Sequence, residues 1–214
     1  MKKIIIIIIS ILFIGGCGKV LKKGISVTPN GTIEGIEFKE SDTITNYVKI
    51  EMESGKYFII ELDPQNAPIT VSNFQKLVNN KFYDDLIFHR VIKNFMIQGG
   101  DPTGTGYGGS SEKIKGEFEA NGVKNNLKHG KGIVSMARSQ DMDSASSQFF
   151  ICTDDNISVS YLDGNYAAFG KVIAGFDVVL EISEVKTNDQ DKPYKNQVMH
   201  TVRFVDIIKG LSRN

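Results

Sequence analysis

The sequence predicts a mostly β domain with two helices, and two observations lead there. Short segments alternating apolar and polar residues recur along the chain, which is the period of a half-buried strand. Only two segments repeat apolar residues at helical spacing, and they lie far apart. Many short strands with two separated helices suggest an antiparallel barrel whose open ends need covering.

The elements follow in order. Tyr47–Met52 alternates, Ser54-Gly55 turns, and Tyr57–Leu62 alternates less cleanly, giving a β-hairpin. Pro64 and Pro68 punctuate the chain, and Pro68 suits a first helical turn. Val71, Phe74, Leu77 and Val78 recur at helical spacing, so an amphipathic helix covers 67–79. Short strands are expected at 86–92, 96–99, 133–136, 148–152 and 168–172. Phe176, Val179, Leu180, Ile182 and Val185 mark a second helix over 175–182 or slightly beyond, and 198–208 closes the chain as a strand.

The stretch Phe88-His89-Arg90-Val91-Ile92, followed by Phe95-Met96-Ile97-Gln98-Gly99-Gly100-Asp101, carries the most information. Alternation puts Phe88, Arg90 and Ile92 on one strand face and His89, Val91 and Lys93 on the other. An arginine on an apolar face keeps its charge and needs a partner or a ligand. Taken alone it would read as an ion pair or a snorkelling surface residue. The aromatic, thioether, amide and tight turn that follow argue for a ligand.

This block resembles the signature of the cyclophilin-type peptidyl-prolyl isomerases. Two more blocks match in family order: Gly132-Ile133-Val134-Ser135-Met136-Ala137 with Ser147-Gln148-Phe149-Phe150-Ile151-Cys152, and Tyr161 through Val172. The resemblance extends more loosely from Tyr47 to Lys209. It implies a closed eight-stranded antiparallel barrel capped by two α-helices, and rotation about the bond preceding proline as the reaction. No bond is made or broken, so no nucleophile, general base or cofactor is implied. The resemblance assigns Arg90 as the main catalytic residue, a donor to the proline nitrogen in the twisted state, with Phe95 and Gln98 beside it. Phe95, Met96, Phe150 and Leu162 stand at the positions of the apolar cup for the proline ring, though each would read as plain core without the match. Gln98 and Gln148 offer amides to orient Arg90 or the substrate backbone. Ala137, Arg138 and Ser139 match the loop that pairs main chain with the peptide. Arg138 replaces a common asparagine and adds a positive charge beside the groove. Tyr161 and Tyr166 stand where well-studied eukaryotic members have tryptophan and histidine, which bears on inhibitor binding and peptide preference.

Gly104-Thr105-Gly106-Tyr107-Gly108-Gly109 matches the dinucleotide fingerprint, but Asp101-Pro102 breaks the chain before it and no amphipathic helix follows. The glycines are expected to fold a tight loop beside the site, without a nucleotide.

The chain has 25 basic and 25 acidic residues, with no basic stripe to favour nucleic acid. His89, His129 and His200 are too widely spaced to suggest a metal site. Cys152, among Phe149, Phe150 and Ile151, reads as a small buried hydrophobe. Lys2 and Lys3 precede the apolar run Ile4–Ile14, then Gly15-Gly16-Cys17. That order describes a secretory signal over 1–16, too short to span a bilayer, and the last residues resemble the bacterial lipobox. Cys17 is therefore the expected lipidation site; an ordinary signal peptide or an uncleaved anchor is the alternative. Residues 17–45, polar and rich in Gly, Ser and Thr, read as a membrane-proximal tether, with a short strand conceivable from Ile33 to Phe38. Residues 46–210 form the domain, and 211–214 a tail. The expected protein is a monomer, lipid-anchored on the extracytoplasmic face of the cell membrane, acting on proline-containing exported polypeptides. A prolyl-peptide binding module and a solute-binding transport lipoprotein are the competing readings. Retention of Arg90 argues against the first, since a binder needs no such donor, and the single domain argues against the second.

Overall fold

The structure, a computed structural model, describes residues 30–210. All eight strands expected after Tyr47 are present: β3 (Tyr47–Met52), β4 (Tyr57–Leu62), β5 (Ile87–Ile92), β6 (Met96–Gly99), β7 (Ile133–Met136), β8 (Phe149–Cys152), β9 (Ala168–Ala174) and β10 (Gln197–Lys209). They pair antiparallel in the order β10-β3-β4-β9-β7-β8-β6-β5, and the register Gln197↔Phe88 and Val198↔Ile87 returns β5 to β10. The eight strands therefore close on themselves, which removes the unpaired edges of an open sheet.

Inward residues at alternate positions fill the barrel. Val48, Ile50 and Met52 of β3, Phe58, Ile60 and Leu62 of β4, and Phe149 and Ile151 of β8 all join one buried cluster. Helix α1 (Pro68–Asn79) adds Val71, Phe74, Leu77 and Val78 to it, and α3 (Phe176–Ser183) adds Val178, Val179 and Ile182. In α1 this is the apolar stripe the helical spacing predicts; in α3 Val178 joins Val179 and Ile182 where Leu180 was expected, with Phe176 and Val185 partly buried against the cluster, and the two helices cap the barrel. The Phe74 ring lies 5.0–5.5 Å from those of Tyr83, Phe149 and Phe169. No side chain caps α1 locally. The carboxylate of Glu117 instead accepts hydrogen bonds from the Ile69 and Thr70 N–H groups and the Thr70 hydroxyl, at 2.7–3.0 Å. An anion there satisfies the open N–H groups and the positive end of the helix dipole.

Upstream, the structure differs from the sequence reading. Residues 30–40, assigned to the tether with at most one short strand, form a hairpin of β1 (Asn30–Ile33) and β2 (Ile36–Glu40). β2 pairs with the last third of β10, from Val205↔Glu40 onward. Ile36 and Phe38 bury against Ile59, Ala174 and Val205 on the outside of the barrel, so this segment belongs to the folded domain. Composition misled here because a two-stranded flap needs only two inward apolar residues to dock. Lys49, almost fully buried, pairs with Glu40 at 2.7 Å and Glu51 at 2.9 Å, tying the end of the flap to β3. The leader, Cys17, the tether up to residue 29 and the tail 211–214 lie outside the described residues.

Candidate functional site

The site is built on the outer face of β5, β6 and β8, and a β-bulge aims its arginine. Phe88 pairs with Gly99 and Arg90 with Gln98, so His89 is an extra residue on β5. This corrects the alternation expected for the strand. Phe88 and Val91 both enter the barrel core, while Arg90 lines an outside cavity. The inserted residue shifts the pleat by one, which is what a bulge does. His89 itself is buried, with neither ring nitrogen hydrogen-bonded. Burial lowers its pKa, with Lys192 and Arg90 adding to the fall against an opposing pull from Asp101.

The register then sets the neighbours. Arg90, Gln98 and Phe150 form one row across three strands, and Ile92, Met96 and Cys152 form the next. With strands about 4.8 Å apart, a row places a cation, an amide and a ring side by side. Met96, Phe150, Cys152 and Val159 make an apolar cluster separate from the barrel core, with Phe95, Ala137, Leu162 and Tyr166 packed on it. A cavity of about 200 Å³ results, lined by Arg90, Phe95, Met96, Gln98, Ala137, Arg138, Phe150, Leu162 and Tyr166. The structure thus brings together nine of the twelve residues expected at the site. Ser139 and Gln148 line an adjoining groove of about 510 Å³, which shares Gln98, Ala137 and Arg138 with the cavity. Tyr161 lines neither; it follows the short helix α2 (Ile157–Ser160) and is 74% exposed.

Supports behind the walls were not foreseen from the sequence. The His129 ring stacks on Phe150 at 6.2 Å, Tyr166 meets Phe150 edge-on at 5.8 Å, and His129 is held by Asp163 and Ser135, each at 2.9 Å. Burial lowers the His129 pKa, opposed by Asp163. The trio has the hydrogen bonds of a hydrolase triad, but Ser135 is fully buried and no substrate can reach it. Cys152 is no nucleophile either, because burial pushes its thiol to about 12.

Arg138 lines both the cavity and the groove. Its guanidinium lies 5.0 Å from the Phe118 ring centroid and 4.9 Å from that of Tyr166. It donates to the carbonyls of Asn165 at 3.0 Å and Ser139 at 2.9 Å. Its charge, beside the groove, also braces the loops at 137–139 and 161–166.

The glycine loop is organised by an internal anion. The Asp101 carboxylate accepts from the N–H groups of Thr103, Thr105, Gly106 and Gly108 and from the Thr103 hydroxyl. Burial would raise its pKa, but these hydrogen bonds prevail and hold it at about 2. The backbone donors that would cradle a phosphate are therefore taken. A β-carbon at residue 108 would collide with the carboxylate, so the close approach requires glycine. The loop in turn orients the amides. Gln148 Nε2 donates to the Gly106 and Gly108 carbonyls at 2.9 and 2.7 Å, and its Oε1 accepts from Gln98 Nε2 at 2.8 Å. That chain settles which end of each amide carries the nitrogen.

Arg90 has a partner from a distant loop, Asp191, whose Oδ2 lies 3.3 Å from Nε. Chemically, the site offers a fixed cation above an apolar cup, beside an oriented amide. No group of three or more potential metal ligands occurs among the described residues.

Comparisons with known proteins agree with the fold. The family model described as cyclophilin type peptidyl-prolyl cis-trans isomerase/CLD matches residues 47–204. The peptidyl-prolyl cis-trans isomerase-like 1 of Aspergillus niger is 43% identical over 150 residues, 70% of this chain and 89% of that protein. Its namesake from Gibberella zeae is 40% identical over 164 residues, 76% of this chain and 97% of that protein. A Cryptosporidium parvum cyclophilin type isomerase, solved in the presence of the dipeptide Ala-Pro, superposes with a TM-score of 0.66 at 33% identity, covering 73% of this chain and 97% of that one.

Proposed function

Because the chain belongs to the cyclophilin-type peptidyl-prolyl cis-trans isomerases and is an enzyme of that class, we propose that it isomerises prolyl bonds of exported proteins at the outer face of a bacterial membrane, with Arg90 as the catalytic donor. The observation that supports the mechanism is the single cavity in which Arg90 faces Phe95, Met96, Phe150 and Leu162. Amide resonance opposes rotation with a barrier of about 18–20 kcal/mol, so the uncatalysed change takes tens of seconds or more. In the twisted state the proline nitrogen regains its lone pair. A donor aimed at that nitrogen binds the twisted state better than either planar one, and that difference lowers the barrier. Arg90 has permanent charge and a planar fork of donors, and the cup holds the ring while the preceding carbonyl turns. Gln98 is set to hold the substrate backbone.

The location rests on residues 2–17, where two lysines, an apolar run and Gly15-Gly16-Cys17 follow in order. Lipid on Cys17 would anchor the chain through about 0.8 kcal/mol per buried methylene. No helix among the described residues is long and apolar enough to cross a membrane. The reaction needs no ATP, which suits an extracytoplasmic site.

Arg90→Ala should lower kcat/KM on a short Ala-Pro peptide by about 10²–10³, the usual size for losing a transition-state donor. Folding should persist, since the arginine side chain is 43% exposed. A folded variant with near-normal turnover would show that Arg90 is not the catalytic donor.

A further inference from the structure

We propose that Asp191 is a positioning residue for Arg90, fixing the plane of the guanidinium so that its two terminal nitrogens meet the substrate. The proposal rests on the reading of Arg90 given above.

The loop carrying Asp191 is held independently of the carboxylate. Asn188 Oδ1 accepts from the Gln190 and Lys192 N–H groups at 3.0 Å, Asn188 N–H donates to the Lys192 carbonyl at 2.9 Å, and Asp191 N–H donates to the Asn188 carbonyl at 3.0 Å. An isolated bridge between Thr187 and Pro193 closes its base. Two contacts dock the loop beside the site. The Asp191 carbonyl accepts from Val91 N–H at 2.8 Å, immediately after Arg90, and Lys192 Nζ donates to the Gly104 carbonyl at 3.1 Å. Asp191 adopts φ +60°, a left-handed conformation that asparagine and aspartate tolerate better than most residues. None of these contacts uses the Asp191 side chain, which is directed to Arg90 Nε alone.

The choice of nitrogen matters. A bidentate partner on the terminal nitrogens would consume the donors the reaction needs. A carboxylate on Nε restrains rotation of the fork and leaves both ends unspent. Both side chains are about two-fifths exposed, at 43% and 41%, so the attraction is screened and orientation outweighs charge. An arginine with more than one exposed rotamer presents its fork only part of the time.

The test is a double-mutant cycle in the full chain. Asp191→Gly and Asp191→Asn both accept φ +60°, so neither strains the loop. Asp191→Gly should lower kcat by about three- to tenfold with KM nearly unchanged, the size expected for freeing one long side chain. Asp191→Asn keeps an acceptor for Nε and should recover part of the loss. Thermal midpoints should match the parent. With Arg90 already changed to Ala, Asp191→Gly should cost nothing further. An equal loss in that background, unchanged turnover in Asp191→Gly, or a rise in Asp191→Asn would overturn the proposal. If Arg90→Ala itself retains full turnover, the reading of Arg90 fails and this one with it. If Arg90→Ala is impaired while Asp191→Gly is not, only the positioning role falls.

Discussion

Between the rings of Phe118 and Tyr166, the guanidinium of Arg138 contributes stacking and two carbonyl hydrogen bonds at once. Lysine keeps the charge but has neither a planar face nor a fork. Arg138→Lys should therefore destabilise the domain by about 1–2 kcal/mol, and KM for a prolyl peptide should rise a few-fold as the Tyr166 wall loosens. Stability and KM both unchanged would mean the sandwich is incidental. The two buried histidines make a second prediction. His89 and His129 have pKa values lowered by burial, while in the unfolded chain each titrates near 6.5. Below that pH the unfolded state takes up protons that the folded state refuses. Stability is thus fully present above about pH 6.5 and falls on acidification toward the lowered values, by at most about 1.4 kcal/mol per pH unit for each histidine. Urea unfolding at pH 7 and pH 5 should show the drop, and equal midpoints would exclude it.

Among the elements, the glycine loop and the flap make opposite demands. The loop is wound on one carboxylate, so Asp101→Asn puts an amide N–H₂ among donors that need an acceptor. The cost should be about 2–3 kcal/mol. Because Gln148 and Gln98 are oriented through the loop, kcat/KM should fall as well; a variant equally stable and active would show that the loop orders itself. Acid should act on the same carboxylate. Its pKa of about 2 lies below the usual value of 3.8, so its contribution is present above about pH 4 and is lost as pH falls toward 2. The flap, by contrast, should matter for stability alone. It joins β10 from Val205 onward, whereas β10 meets β5 at Val198, a separation of about 23 Å at 3.3 Å per residue. Deleting residues 30–40 uncovers Ile59 and Val205 and removes Glu40 from buried Lys49. The unfolding midpoint should fall by several degrees with kcat/KM on a short peptide preserved, and loss of turnover in a folded deletion would contradict the separation. These elements also show what a sequence carries. Strands such as Tyr47–Met52 are legible because the period of two persists over their length. The bulge at His89 is one residue long and shifts the phase without leaving a compositional mark. Helix α2 has four residues, too few to show a period. Asp191 lies 101 residues from Arg90, and nothing local to Asp-Lys-Pro announces that it folds back on β5. The cup was legible through three blocks of matching residues, whereas its support by His129 depends on a stacking contact that spacing does not encode.

For the whole molecule, the flap begins at Asn30, which leaves residues 17–29 between the proposed lipid and the flap. Even fully extended, that stretch reaches no more than about 45 Å, so the proposed anchor would keep the flap within about that distance of the membrane surface. Anchor and site share no residue, and residues 30–210 hold all 25 acidic residues but only 19 of the 25 basic ones, so the net negative domain has little reason to adhere to anionic lipid by itself. Attachment should then depend on Cys17 alone. Cys17→Ser should release the protein to the medium or leave an unprocessed precursor, while kcat/KM of the soluble form on an Ala-Pro peptide matches that of the detergent-solubilised parent. Fractionation and mass analysis of the mature N-terminus decide the matter. A serine variant processed at the same position and still sedimenting with membranes would remove the lipid anchor from the account, and the isomerase would have to reach its exported clients by another attachment.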